Sequence, residues 1–194
     1  MDLTVVEPGY IAEIVTYLDM RERPKPQPHT PSPLRLKQWQ PVNLVKYRTL
    51  FDRVGRHWLW YSRLEMDDAA LDAVVNDDAV AVYAVEDRSG IELGMVELDW
   101  RVAGDCEIQF FGLVPELAGK GHGRWLMGET LRRAWRKDVT RVHLHTCTID
   151  HPGALAFYRK IGFVPRGRAV EINRDPRVAG IFPRGCAPHV PIIE

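Results

Sequence analysis

Between Leu117 and Met127 the chain reads Leu-Ala-Gly-Lys-Gly-His-Gly-Arg-Trp-Leu-Met, with glycine alternating at Gly119, Gly121 and Gly123. An apolar, strand-like run from Ile108 to Val114 stands before it, and Met127, Leu131, Ala134 and Trp135 recur after it at helical spacing. A strand, a glycine turn and a helix in that order can hold a phosphate. The first N–H groups of a helix lack internal partners and the helix dipole favours an anion there. Glycine lets the backbone come close and take positive φ. The spacing therefore points to a phosphorylated ligand, the plainer alternative being a tight turn that only starts a helix. The turn lacks the Gly-Lys-Ser/Thr ending that would put a hydroxyl on magnesium. It also reads G-x-G-x-G rather than G-x-G-x-x-G and lies late in the chain. Neither a nucleoside triphosphate nor a dinucleotide fits well.

Other residues could carry chemistry. From Asp150 to Phe163 the chain reads as a short helix with clear ends. Pro152 suits the first helical position, and Gly162 the left-handed C-terminal cap, with Pro165 beyond. Ala154, Phe157, Tyr158 and Ile161 form its apolar face. The Tyr158 phenol, with an ordinary pKa of about 10, is protonated at neutral pH and can act as an acid, or it can simply fill the core. If the hairpin after Ile91 turns about Ala103, Asp99 faces Glu107 and Glu97 faces Gln109. Opposed carboxylates repel, which raises one pKa toward that of a useful base and attracts a cationic amine. The alternative is a solvated sheet face. His143, His145 and Cys147 share one strand face. Strand packing is the expectation there rather than a metal site, and Cys147 has no implied base to activate it. His122 is expected as a bystander in the turn and His151 as a helix-cap residue. Trp58, Trp60 and Tyr61 either line an acceptor pocket or pack a helix-to-helix link. Arg132, Arg133, Arg136 and Lys137 read as a solvated helix face, with a role at a phosphate as the alternative.

The glycine turn, a following strand and the A-x-x-F-Y-x-K-x-G-F segment together resemble the GNAT superfamily of acyl-CoA N-acyltransferases. The family's phosphate turn, Arg/Gln-x-x-Gly-x-Gly/Ala, is matched at Gly121 and Gly123, with Ala118 in the opening position. Its later pattern, Asn-x-x-Ala-x-x-x-Tyr-x-x-x-Gly-Phe, is matched at Ala154, Tyr158, Gly162 and Phe163, with His151 in the Asn position. The matches cover residues 105–165, and residues 145–152 also resemble a bacterial subgroup of unassigned substrate. The resemblance implies a three-layer α/β fold whose central mixed sheet splays to admit the pantetheine arm of acetyl-CoA. It would put Leu113 and Val114 beside that arm and Ala154 against the cofactor. Gly119, Lys120, Gly121, His122, Gly123 and Arg124 would hold its pyrophosphate. Tyr158 would protonate the departing thiolate and Glu107, directly or through water, would accept the amine's proton in a direct transfer to a primary amine. Glu97, Asp99, Trp58 and Trp60 would bind that acceptor, a small molecule or a peptide. A non-catalytic acyl-CoA-binding module is the alternative, favoured by Ala118, and a dinucleotide-binding protein is a third class. A homodimer is a further expectation from the family.

Composition sets outer bounds. The chain has 194 residues, 45% of them hydrophobic, enough for one domain with extensions. Lys and Arg number 26, as do Asp and Glu, so no basic excess argues for a nucleic-acid partner. Neither a signal-peptide pattern nor an apolar stretch of membrane-spanning length is present, so no membrane association is expected. Three cysteines, far apart and odd in number, suit a reduced, cytoplasmic chain. The patterns predict strands at 10–18, 79–85, 91–100, 106–114, 141–147 and 168–172, and helices at 41–54, 67–75 and 152–161, beside the helix after the glycine turn. Five prolines between Arg23 and Pro33 mark an extended segment, either a plain loop or a wall of the acceptor site. The tail 173–194 reads as irregular.

Overall fold

A computed structural model describes residues 3–25 and 31–194. The central part of the proline-rich segment, residues 26–30, therefore lies outside the described residues. Seven strands, β1 (Tyr10–Met20), β2 (Arg35–Trp39), β3 (Val80–Glu86), β4 (Glu92–Asp99), β5 (Asp105–Leu113), β6 (Arg141–Cys147) and β7 (Val164–Arg174), make one mixed sheet. Their order across it is β2-β3-β4-β5-β6-β1-β7. The helices are α1 (Leu44–Gly55), α2 (Ser62–Glu65), α3 (Asp68–Val75), α4 (His122–Ala134) and α5 (Ala154–Ile161).

All of β3 is buried, and its alternation divides the core in two. Val82 and Ala84 join Tyr47, Phe51 and Val54 of α1 and Leu71 of α3 on one face. Ala81, Tyr83 and Val85 join Trp125, Leu126 and Met127 of α4 and Tyr158 of α5 on the other. The result is the expected three-layer α/β fold. Asn43 caps α1 through Lys46 N–H, and Asp67 caps α3 through Ala70 N–H. Gly162, at φ +115°, closes α5 in the left-handed region. Among the described residues, no helix is long and apolar enough to cross a membrane.

Three features exceed what local patterns indicate. The strand β2 and helix α2 are short elements without a clear periodic signal. The first strand, β1, runs antiparallel between β6 and β7. The tail beyond Arg174 holds neither helix nor strand, yet it is packed against the rest of the chain. There Arg177 is buried against Asp175, Nη2 to Oδ2 at 2.6 Å, and its Nη1 donates to the carbonyls of Cys186, Ala187 and Val190. Phe182 and Ala187 then pack on Ile11, Leu59 and Ile149.

Candidate active site

The sheet opens between β5 and β6. These parallel strands pair only at Asp105 with Arg141, Cys106 with Val142 and Glu107 with His143, after which they diverge. The backbone edge freed by this divergence can be read from its neighbours. Val114 N–H donates to the Leu93 carbonyl at 2.9 Å, and the Gly112 carbonyl faces Gly94. Peptide groups alternate sides along a strand, so those of Phe111 and Leu113 face the gap. A side chain at Gly112 would strike Val54 and Trp60, at 2.6 and 3.0 Å, so glycine is what lets the α1–α2 link lie on β5.

A cavity of about 390 Å³ fills the opening. Ile108, Phe111 and Leu113 of β5, Leu144 of β6, and Ala154 and Tyr158 of α5 form its apolar part. Tyr158 is only 9% exposed, and burial lifts its phenol well above the ordinary tyrosine range, with the Asp150 charge adding to the effect. Among the described residues its hydroxyl has no hydrogen-bond partner. It is therefore a protonated donor at neutral pH, facing a cavity.

The glycine turn lies next to this cavity. Gly119 and Gly121 take φ of +73° and +82°, with open space where a side chain would stand. α4 begins at His122, so the His122 and Gly123 N–H groups have no helical partner, while Arg124 N–H donates to the Gly121 carbonyl at 3.2 Å. A β-carbon on Gly123 would lie 3.9 Å from the Phe157 ring, which stacks on Phe111 and meets Tyr158 edge-on. One aromatic ring thus separates the turn from the cavity wall. Ser32 Oγ lies 3.3 Å from His122 Nδ1, which brings the end of the proline-rich segment to the turn.

The polar side of the cavity departs from expectation. Asp99 does face Glu107, but a bulge after Glu97 sets Glu97 opposite Phe110 rather than Gln109. Glu97 is 1% exposed and sealed away: Tyr47 donates to Oε2 at 2.5 Å and Arg63 to Oε1 at 2.6 Å. Burial pushes the Asp99 carboxyl up, but the Arg101 guanidinium and N–H outweigh it and hold it below the usual range. Neither Glu97 nor Asp99 lines the cavity, contrary to the expected acceptor-binding role. Glu107 also stands outside the lining, with Oε1 3.6 Å from Nδ1 of His145. That pairing lifts the imidazole above its ordinary pKa, burial opposing it. His145 itself lines the cavity. Val114 is buried against the α1 layer and does not line the gap, whereas Leu113 does.

Trp58, Trp60 and Tyr61 do line the cavity. Trp60 Nε1 donates to Asp150, which also accepts from Thr146 Oγ1 and Cys147 N–H. His151 is not the helix cap, which is Gly153; its Nδ1 accepts from Gly153 N–H at 3.0 Å in the turn before α5, and its ring meets Trp58. Burial lifts the Cys147 thiol, with the Asp150 charge and Glu13 adding to it, so it is no thiolate nucleophile. At the C-terminal end of α4, Arg132 and Arg133 pair with Glu129, and Arg136 lies over the Trp100 ring at 3.3 Å. These arginines stand at the far end of the helix from the glycine turn. The carboxylates that do line the cavity are Asp150, Glu13 of β1 and Glu171 of β7. Glu13 and Glu171 carry no local motif, and only the pairing of β1 with β7 brings them together.

The model of the acetyltransferase (GNAT) family matches residues 16–163. No curated protein matches the chain in sequence. Solved structures share the fold at low identity. A GCN5-related N-acetyltransferase from Sphaerobacter thermophilus is 18% identical with a TM-score of 0.62, over 85% of this chain and 53% of that one. A functionally unknown conserved protein from Staphylococcus epidermidis is 16% identical with a TM-score of 0.56, over 86% of this chain and 64% of that one. The chain thus spans less than two thirds of either protein. Spermidine N-acetyltransferase from Vibrio cholerae, solved with CoA and spermine, is 20% identical with a TM-score of 0.56, over 76% of this chain and 98% of that one.

Proposed function

The chain belongs to the acetyltransferase (GNAT) family, and from that premise we propose that it is an acetyl-CoA-dependent enzyme acetylating a primary amine by direct transfer. The observation that carries the reading is the cavity between β5 and β6, where an unpaired backbone edge and the unpartnered phenol of Tyr158 meet. The peptide groups of Phe111 and Leu113 would pair with the pantetheine amides as a neighbouring strand would. Gly119, Lys120, Gly121, His122, Gly123 and Arg124 would hold the pyrophosphate, through the N–H groups among them that have no partner in the chain, through the Lys120 and Arg124 charges and through the helix dipole. The thioester supplies an activated acyl carbon. Tyr158 donates its proton as the thiolate departs, a role that its protonated state at neutral pH suits. Trp58, Trp60 and Tyr61 form the wall against which the amine's carbon skeleton rests. Cys147 stays a thiol, which favours direct transfer over an acyl-cysteine route.

The test is incubation with acetyl-CoA and a panel of primary amines, with the acetylated product read by mass. Tyr158→Phe is expected to lower kcat by about 100-fold or more while acetyl-CoA binding persists. Full turnover by Tyr158→Phe would remove the acid role. Acetyl-CoA binding without turnover of any amine would favour the non-catalytic module instead.

A further inference from the structure

Glu13 sits on the N-terminal strand, far in sequence from the glycine turn, and lines the same cavity as Tyr158. Its cross-strand partner on β7 is Glu171, also in the lining. Two carboxylates directly opposed across a pair of strands are destabilising unless something is gained from them. Elsewhere in this protein aspartates are neutralised: Asp19 by Arg166, Asp99 by Arg101, Asp105 by Arg141 and Asp175 by Arg177. Glu13 instead faces the Cys147 thiol and His145 from β6, Asp150 from the turn after β6, Glu171 from β7, and Tyr61 from the α1–α2 link. Burial lifts its carboxyl above the usual range and the charges of Glu171 and Asp150 add to this, while the thiol hydrogen bond and His145 oppose it. Glu13, Asp150 and Tyr158 all line the one cavity.

Resting on the N-acetyltransferase reading, we propose that Glu13 of β1 is the base that takes the proton from the acceptor amine, with Glu171 facing it from β7. The acceptor arrives as an ammonium ion, drawn to a cavity wall bearing carboxylates. Glu13 accepts one ammonium proton, and the freed nitrogen lone pair forms the new bond to the acyl carbon. The carbon–sulfur bond breaks, and the thiolate takes the Tyr158 proton. The second proton lost by nitrogen restores the phenol. The products are an amide and a free thiol, and the proton on Glu13 passes to solvent. Glu107, the base expected from the strand position, is absent from the cavity lining, whereas Glu13 is in it.

The test is the pH dependence of kcat/KM for an acetylated amine, measured on the full chain. Loss of activity on the acid side should follow protonation of Glu13. Glu171→Gln removes a like charge, so it should move that acid limb to lower pH. Glu13→Gln should lower kcat by about 100-fold and abolish the limb, and Glu13→Asp should recover part of the rate. Melting temperature and its rise with acetyl-CoA, measured on each variant, separate this from misfolding. If Glu13→Gln does not fold, Glu171→Gln decides the matter alone. An unmoved acid limb in Glu171→Gln, or a Glu13→Gln enzyme with wild-type rate and profile, overturns the proposal while leaving the transferase reading intact. A wild-type protein that binds acetyl-CoA yet acetylates no amine overturns both.

Discussion

Replacing Arg63 by methionine should be among the most damaging single changes away from the cavity. Arg63 is 12% exposed at its side chain and Glu97 1%, and their atoms approach to 2.6 Å. Without the guanidinium, the Glu97 carboxylate would keep only the Tyr47 hydroxyl at 2.5 Å. A buried charge left by loss of its partner costs about 3–5 kcal/mol. For a domain of this size, each kcal/mol shifts the melting temperature by about 2–4 °C, so the fall should be roughly 6–20 °C. Urea denaturation gives the free energy directly, with an unchanged slope showing that the denatured state is not what moved. The double variant Arg63→Met, Glu97→Gln should recover much of the loss, because the stranded charge is then gone. The guanidinium also lies 5.2 Å from the Phe110 ring centre, and the part of the loss not recovered measures that contact. A single-variant cost below about 1 kcal/mol, the value for an exposed pair, would refute the reasoning. Glu97 would then have to be open to solvent or ligand.

Two other substitutions test the neighbouring geometry. Gly112→Ala brings a methyl to 2.6 Å from Val54 Cγ1 and 3.0 Å from Trp60, and should cost about 1–3 kcal/mol by urea denaturation, with weaker acetyl-CoA binding as the loop is pushed from β5. Glu107→Gln should lower the His145 pKa, followed by NMR titration of the imidazole. Because Glu107 raises that pKa, the pair stabilises the fold at pH below the unfolded histidine value and loses its effect as pH rises through the folded one. The difference in stability between wild type and Glu107→Gln should therefore shrink with rising pH.

What the sequence reveals here depends on how local each signal is. The glycine turn, the Gly162 cap and Tyr158 are set by contiguous residues and stand in the structure where spacing puts them, whereas α5 starts at Ala154, with Pro152 outside it rather than in its first position. The facing of Asp99 and Glu107 follows from the tight turn at Gly104. Glu97 was out of reach of the same argument, because one bulge after it shifts the register and turns it onto Tyr47 and Arg63. The pairing of Glu13 with Glu171 joins residues near opposite ends of the chain. No spacing encodes it, and it exists only because β1 lies between β6 and β7. The packing of the irregular tail likewise involves one buried arginine, Arg177, whose carbonyl partners lie up to Val190. An isolated Arg in a proline-containing segment gives no sign of burial.

The central claim is that acetyl-CoA occupies the gap between β5 and β6 with its pyrophosphate on the Gly119–Gly123 turn. Thermal-shift titration with acetyl-CoA, CoA and NAD tests it most directly, since a ligand that binds only the folded state adds about 2.7 kcal/mol of stability at 100 times its Kd. The account expects both CoA species to raise the melting temperature, NAD to leave it unchanged, and a bulky Gly121→Val variant to lose the response. No shift with either CoA species at millimolar concentration would contradict it.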